Sequence, residues 1–222
     1  MPETPWEAVG SRIREQVIVE GRTFLLDRPA ESDKLLDHPA VRVAFAKDEY
    51  MPYWADLWPA ARMLAKVLLR EDWPPGLRTL EVGCGLGLPG IVALSRGLQV
   101  TFSDYDATAL RFAADNARLN GFTHFDLLQM DWRYPPACPP FPLILAADLI
   151  YELRNVAPLV ALIKQMLAPG GECLLTDQDR VPSQVLRETL AGEGMPFTTQ
   201  TLRAGEPGGR RLKGTLYRIR HP

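Results

Sequence analysis

The stretch TLEVGCGLGLPG, residues 79–90, is an apolar run that enters a glycine-dense turn and leaves it on a helical pattern. Strand, tight turn and helix in that order make the opening unit of a parallel α/β sheet. Glycines at 83, 85 and 87 keep side chains out of the turn, so the backbone can approach a ligand. The free amide groups of the following helix face the same space. Asp104 closes the next apolar run about 20 residues on, where a carboxylate can accept from both hydroxyls of a ribose. Together they imply a nucleoside-containing cofactor. Residues 85–90, GLGLPG, also satisfy G-x-G-x-x-G, so the motif alone admits NAD. Against NAD, the chain ends after one sheet and provides no second domain for a nicotinamide substrate.

Outward from this turn, the pattern predicts strands over 79–83, 98–103, 124–130, 142–147 and 171–176. Helices are predicted over 88–96, 106–119, 154–167 and 182–191. This alternation implies a mostly parallel sheet with helices on both faces. Asp106 and Asn120-Gly121 bracket one helix, Pro182 starts another at its first position, and Pro169-Gly170 stops a third. Residues 197–202 and 212–219 then read as two strands around AGEPGG, so the sheet ends in an antiparallel hairpin. Upstream, QVIVEGRTFLLD (16–27) reads as a short hairpin around Glu20-Gly21. Leu57, Ala61, Leu64 and Leu68 predict a helix with Asp56 as its cap and Pro59 in its first turn. The organisation is one domain over 1–222, with the hairpin and cap helix in 1–76 and a Rossmann-like α/β core in 77–222.

Composition bounds the function. The chain has 222 residues, 46% hydrophobic and 23% charged, with a net charge of -2, which describes a soluble globular protein and not a disordered one. Three cysteines, Cys84, Cys138 and Cys173, are far apart and form no CxxC, which fits a reduced compartment. His38, His124 and His221 lack metal-ligand spacing, so no metal is expected. The charged N-terminus is no signal peptide, and no apolar run nears the roughly 18 residues that span a bilayer. A cytoplasmic location follows, with no membrane partner. The 25 basic and 27 acidic residues balance, and the basic cluster Arg210, Arg211 and Lys213 reads as a solvated edge strand, so no nucleic-acid partner is expected.

Glu81-x-Gly83-x-Gly85-x-Gly87 resembles the first motif of the class I, seven-β-strand S-adenosylmethionine-dependent methyltransferases. The terminal hairpin is similar to the end of their sheet. Three further segments, YWADLWP (53–59), Asp131-Trp132 and DLIY (148–151), resemble the family 16 protein lysine methyltransferase branch, with its DxxY motif. The resemblance covers nearly the whole chain from the early hairpin to Ile219. It implies S-adenosyl-L-methionine as cofactor, with Gly83, Gly85 and Gly87 under its methionyl part and Glu81 orienting that turn. It further implies Asp104 on the ribose, Asp131 on the adenine amino group, Trp132 on the adenine ring, and Ala147 at the pocket edge. Trp54 or Trp58 closes the pocket, the first being preferred. An aromatic face also suits a sulfonium cation.

Methyl transfer from a sulfonium is an in-line displacement, so the protein's task is alignment and exclusion of water. A lysine amine, with an ordinary pKa of about 10.4, must lose a proton before it attacks; burial and the sulfonium charge both help. Asp148 follows an apolar strand at the carboxyl edge, where open α/β sheets bind ligands, and is expected to orient that nitrogen, with Tyr151 as hydroxyl or aromatic wall. The competing role for Asp148 is a helix cap. Enzymes that methylate base amines resemble one another in an Asn/Asp-Pro-Pro-aromatic motif, whereas this position holds Asp-Leu-Ile-Tyr. The expected function is N-methylation of a lysine in a protein substrate. The alternatives are a small-molecule amine acceptor, a histidine acceptor, or a non-catalytic cofactor-binding module, and a monomer or an oligomer fits equally. Residues 176–180 and the AGEPGG turn border the same edge and are expected to select the substrate.

Overall fold

Glu20 and Gly21 both hold positive φ, 47° and 76°, the two-residue turn whose twist matches paired strands. They join β1 (Arg12–Val19) to β2 (Arg22–Pro29) as an antiparallel pair. The computed structural model describes residues 4–5, 9–205 and 208–221. Two helices that no apolar period announces come next, α1 (Ser32–Leu36) and α2 (Pro39–Asp48). Each buries a single residue, Leu35 and Val41, too little to leave a periodic signal. A 3₁₀ turn at Tyr53–Ala55 leads into α3 (Pro59–Arg70), which buries a broad face including Met63, Leu64 and Leu68. Asp56 does not cap this helix. Trp58 occupies the cap position without a side-chain bond, and Asp56 instead accepts the Ser32 hydroxyl at 2.8 Å.

The core follows the predicted alternation, element by element. It runs β3 (Arg78–Val82), α4 (Leu88–Ser95), β4 (Gln99–Asp104), α5 (Ala107–Leu119), β5 (Asp126–Gln129), β6 (Phe141–Ala147), α6 (Val156–Met166), β7 (Leu167–Asp177), α7 (Pro182–Gly192), β8 (Phe197–Ala204) and β9 (Leu212–Arg220). Sheet order is β5-β4-β3-β6-β7-β9-β8, with the first five strands parallel and β9 antiparallel to both its neighbours. This is a Rossmann-like, mostly parallel sheet closed by an antiparallel hairpin. The helix predicted over 154–167 is shorter than expected, because residues 153–155 form a 3₁₀ turn before α6. The basic cluster is not on an edge strand. Lys213 lies on β9, which β8 covers, and Arg210 and Arg211 stand exposed just before it.

Apolar side chains fill both faces of the sheet. One face holds α3, α4, α5 and the hairpin residues Val17, Val19, Phe24 and Leu26; the other holds α6 and α7 over Leu80, Ile144 and Leu175. Each such side chain contributes roughly 1.5–3 kcal/mol by leaving water. The hairpin is also tied down by polar groups. Asn120, the residue that closes α5, accepts from the Leu25 amide at 2.9 Å and donates to its carbonyl at 2.7 Å, and Asn116 of α5 does the same for Asp27 at 2.7 and 3.1 Å. Two asparagine amides thus satisfy part of β2's outer edge in place of another strand.

Parallel register gathers the carboxyl ends. Val82 stands beside Ser103 and Ala146, Asp104 beside Gln129, and Ala147 beside Thr176. The residues that follow each strand therefore meet along one edge.

Candidate functional site

A cavity of about 530 Å³ opens at that edge, within the usual range for a small-ligand site. Its floor is the turn between β3 and α4. Gly87 holds φ +84°, and a Cβ there would meet the Ala113 backbone at 3.1 Å. At Gly83 a Cβ would meet Leu149 at 2.5 Å and Trp132 at 3.2 Å. Glu81, buried at the end of β3, accepts from the Gly90 amide at 2.9 Å and so ties the first turn of α4 to the strand. Burial pushes its carboxyl well up from the ordinary range, against the Gly90 bond.

Asp104 stands beside the turn. One carboxylate oxygen accepts from Gly85 N at 2.9 Å and the other from Asp106 N at 3.0 Å. Burial raises its pKa to about 6 in spite of these bonds. Asp106 starts α5 as its cap, accepting from Thr108 N at 2.7 Å, and it also accepts from Thr4 N, from the Tyr50 hydroxyl and from Trp54 Nε1 at 3.0 Å. Trp54 is therefore a buried wall residue whose ring packs on Phe112 with centroids 5.1 Å apart, while its neighbour Trp58 is exposed by 36% and lines the same cavity.

Past β5, Asp131 accepts from Arg133 through both the backbone amide and the side chain, and Trp132 lines the cavity above Gly83. Arg133 also pairs with both Asp48 oxygens at 2.7 Å and lies over the Tyr105 ring. Asp48 is thereby held well below the usual carboxylate range, chiefly by the Arg133 bonds and then by the Tyr105 hydroxyl. The C-terminus of α2 is clasped a second time, where Arg154 pairs with Glu49.

Asp148 follows β6 with φ +61° and is buried. It caps no helix. Gln178 Nε2 donates to one of its oxygens at 2.6 Å, Arg180 Nη2 to the same oxygen at 3.2 Å, and Arg180 Nη1 stands 3.0 Å from the other. Burial raises its pKa, opposed first by the Arg180 charge and then by Gln178. Tyr151 packs edge-on against Tyr53 with centroids 5.4 Å apart, and burial pushes its hydroxyl up to about 12.

All eleven residues named from the sequence line this one cavity: Trp54, Glu81, Gly83, Gly85, Gly87, Asp104, Asp131, Trp132, Ala147, Asp148 and Tyr151. The loop after β7 supplies Gln178 and Arg180 to Asp148; in the AGEPGG turn, Glu206 and Pro207 lie outside the described residues. Sequence reasoning gave no site role to Arg133 and Arg154, whose partners lie up to 105 residues away and which no local motif marks, nor to Tyr53, although it opens the YWADLWP segment. Among the described residues no group of His, Cys, Asp or Glu could hold a metal ion, and no helix is long and apolar enough to cross a membrane.

Sheet order, reversed penultimate strand position and an edge cavity over a glycine turn define the class I methyltransferase fold. The N-methyltransferase NodS from Bradyrhizobium japonicum WM9, solved with S-adenosyl-L-homocysteine, superposes with a TM-score of 0.60 at 20% identity, over 77% of this chain and 92% of that one. Within this class the chain belongs to the lysine methyltransferase family, whose sequence pattern matches residues 43–187. It is 32% identical to a histidine protein methyltransferase 1 homolog of Dictyostelium discoideum, over 55% of this chain and 42% of that protein. It is 31% identical to the histone-arginine methyltransferase METTL23 of Homo sapiens, over 48% and 60% respectively. The chain thus spans about half the length of these curated relatives.

Proposed function

We propose that the chain transfers a methyl group from S-adenosyl-L-methionine to a side-chain nitrogen of a protein, lysine first, in the cytoplasm. One observation carries this reading: a buried carboxylate, Asp148, shares a single cavity with a glycine cradle and the Asp104 carboxylate. The turn fits the cofactor because Gly83 keeps a side chain off Leu149 and Trp132, which line the cavity, and because Gly83, Gly85 and Gly87 all hold positive φ and so leave their backbone open to it. Gly83, Gly85 and Gly87 take the methionyl part, Glu81 holds their turn, and Asp104 accepts from the ribose. Asp131 serves the adenine amino group and Trp132 its ring. Trp54 supports the wall from behind, with its indole held by Asp106, and Trp58 closes the mouth. Three free thiols fit a reducing compartment.

The cofactor supplies an electrophilic methyl on a sulfonium. The chain's own residues do the rest. Asp148 orients the acceptor nitrogen beside Ala147, Tyr53 and Tyr151 form an aromatic wall, and burial of the acceptor favours its neutral, nucleophilic form. A second acceptor, arginine, is favoured by one contact: Asp148 already holds a guanidinium, that of Arg180, through both carboxylate oxygens. Of the two relatives, one is named for histidine and one for arginine, and the second supports this alternative.

The test is transfer from methyl-labelled S-adenosylmethionine into a lysate of the source cell, wild type beside Asp148→Ala, with proteins separated from small molecules. Label in a protein band, lost in the variant while cofactor binding persists, is expected. Hydrolysis of that band to methyl-lysine or methyl-arginine identifies the acceptor. Label confined to small molecules overturns the protein reading, and cofactor binding without any transfer favours a binding module.

A further inference from the structure

At the acceptor end of the cavity Asp148 is met by a cation of the same chain. Its side chain is 4% exposed, yet Arg180, 32% exposed, reaches it from the loop after β7. Both Nη atoms face the carboxylate, at 3.0 Å from one oxygen and 3.2 Å from the other. Over the same guanidinium lies the Trp58 ring, 5.7 Å away, so the cation rests between an acid and an aromatic face as a bound side chain from a substrate would. The loop backbone is anchored, by Arg180 N on the Asp177 carboxylate at 3.2 Å, by Ser183 N on the Arg180 carbonyl at 3.0 Å and by the Thr215 hydroxyl on Asp179, so what a substrate would displace is the Arg180 side chain alone. The loop departs from β7 through Gln178, Asp179 has φ +58°, and Val181 beside Arg180 is 82% exposed. Of the four acceptor positions of the Asp148 carboxylate, Gln178 and Arg180 fill those on the loop side, and the Asp148 oxygen nearest Arg180 Nη1 makes an ion pair without hydrogen-bond alignment.

We propose that Arg180 is a built-in occupant of the acceptor site, which a substrate cation must displace, and that it thereby sets the site's preference for a long, cationic side chain over a neutral one. The inference rests on the reading of Asp148 as the acceptor carboxylate. A tethered side chain competes at high effective concentration, and an apparent affinity is reduced by the fraction of time for which the site is closed. Displacement costs the Arg180–Asp148 pair. A neutral side chain offers nothing in return, whereas an ammonium or guanidinium restores the same pair, so selectivity arises from what is removed as well as from what is made.

The test uses n-butylammonium and n-butylguanidinium as probes, titrated by calorimetry into the full chain saturated with S-adenosylhomocysteine. Arg180→Ala and Arg180→Met are compared with wild type, the second retaining an apolar stem over Trp58; an unchanged affinity for S-adenosylhomocysteine certifies the fold of each. Both variants are expected to bind the cations about tenfold more tightly, the gain for a site closed about nine-tenths of the time. Adding Asp148→Asn to either is expected to remove the gain. Equal or weaker binding in both Arg180 variants overturns the inference and makes Arg180 a residue that positions Asp148. Tighter cation binding without any label reaching protein would keep the inference while removing the protein-methylation reading; label in protein with cation binding unchanged would do the reverse.

Discussion

Asp104 and Gly85 are joined directly, the carboxylate of the one accepting the amide hydrogen of the other at 2.9 Å. The end of β4 and the glycine turn after β3 are thus tied together, and the acid proposed to meet a ribose also holds the turn proposed as the cofactor's cradle. The cost of that arrangement is a buried charge, which burial expresses as a pKa of about 6 against an ordinary value of about 3.9.

Cofactor affinity should therefore fall in mildly acidic solution. Ribose hydroxyls donate to the ionised carboxylate, so the Kd for S-adenosylhomocysteine is expected to be flat above about pH 7 and to weaken about tenfold per unit below about pH 6. Stability moves the other way: with the folded pKa raised, the Asp104 contribution declines as pH rises from about 4 to about 6 and is constant beyond. Calorimetric titrations from pH 5 to 8 check the first slope, and urea unfolding checks the second. Asp104→Asn should flatten both; a wild-type Kd that does not change with pH would refute the assignment.

Gly90 is expected to tolerate no side chain. A Cβ there would stand 2.3 Å from Phe102 and 2.4 Å from the Glu81 carboxylate, forcing apart β4 and α4 and breaking the bond from the Gly90 amide to Glu81. Gly90→Ala should lose about 2–4 kcal/mol, the sum of overpacking and an unpaired buried group, together with most cofactor binding. Denaturant midpoints read this directly, and a loss under 1 kcal/mol would contradict it.

Why some of this was legible and some not follows from the range of each signal. The glycine turn, the capping Asp106 and the strand-to-helix alternation are local, and residues 79–192 carried them in apolar period and punctuation. Asp104, Asp131 and Asp148 could be expected to share one cavity because a parallel sheet brings every strand's carboxyl end to one edge, so position in the pattern predicts proximity. Arg180 on Asp148 and Arg133 on Asp48 are contacts made from loop arginines to acids 32 and 85 residues away, and loops carry no period. Helices α1 and α2 escaped for another reason: each buries a single residue, and α2 is held by its ends, His38 capping it through Ala40 N and Glu49 closing it.

Asn120 should matter more to the hairpin than its half-buried position suggests. Asn120→Ala removes both bonds to Leu25 and leaves a β2 amide and carbonyl without partners, at about 1–3 kcal/mol. Asn120→Asp tests the polarity of the contact, since a carboxylate can accept from the amide but cannot donate to the carbonyl. Limited proteolysis should cut the alanine variant between Val19 and Arg22 faster than wild type. Unchanged cleavage would show that the apolar contacts of Val17, Val19, Phe24 and Leu26 hold the hairpin alone.

Asp106 is where stability and site are expected to fail together. It caps α5 and, from a buried position, accepts from the Thr4 amide, the Tyr50 hydroxyl and the Trp54 indole. Asp106→Ala removes a cap, about 0.5–2 kcal/mol, and leaves several buried donors unpaired at about 1–3 kcal/mol each, so a loss of about 3 kcal/mol or more is expected. Asp106→Asn keeps one acceptor oxygen and should lose less. Because the Trp54 carbonyl lies 3.3 Å from where a Gly85 side chain would begin, freeing the indole also loosens the wall over the glycine turn. Affinity for S-adenosylhomocysteine should then fall in proportion to the lost stability across the pair of variants. If Asp106→Ala unfolds at a lower urea concentration but binds the cofactor as wild type does, the network serves the fold alone and Trp54 has no part in the pocket.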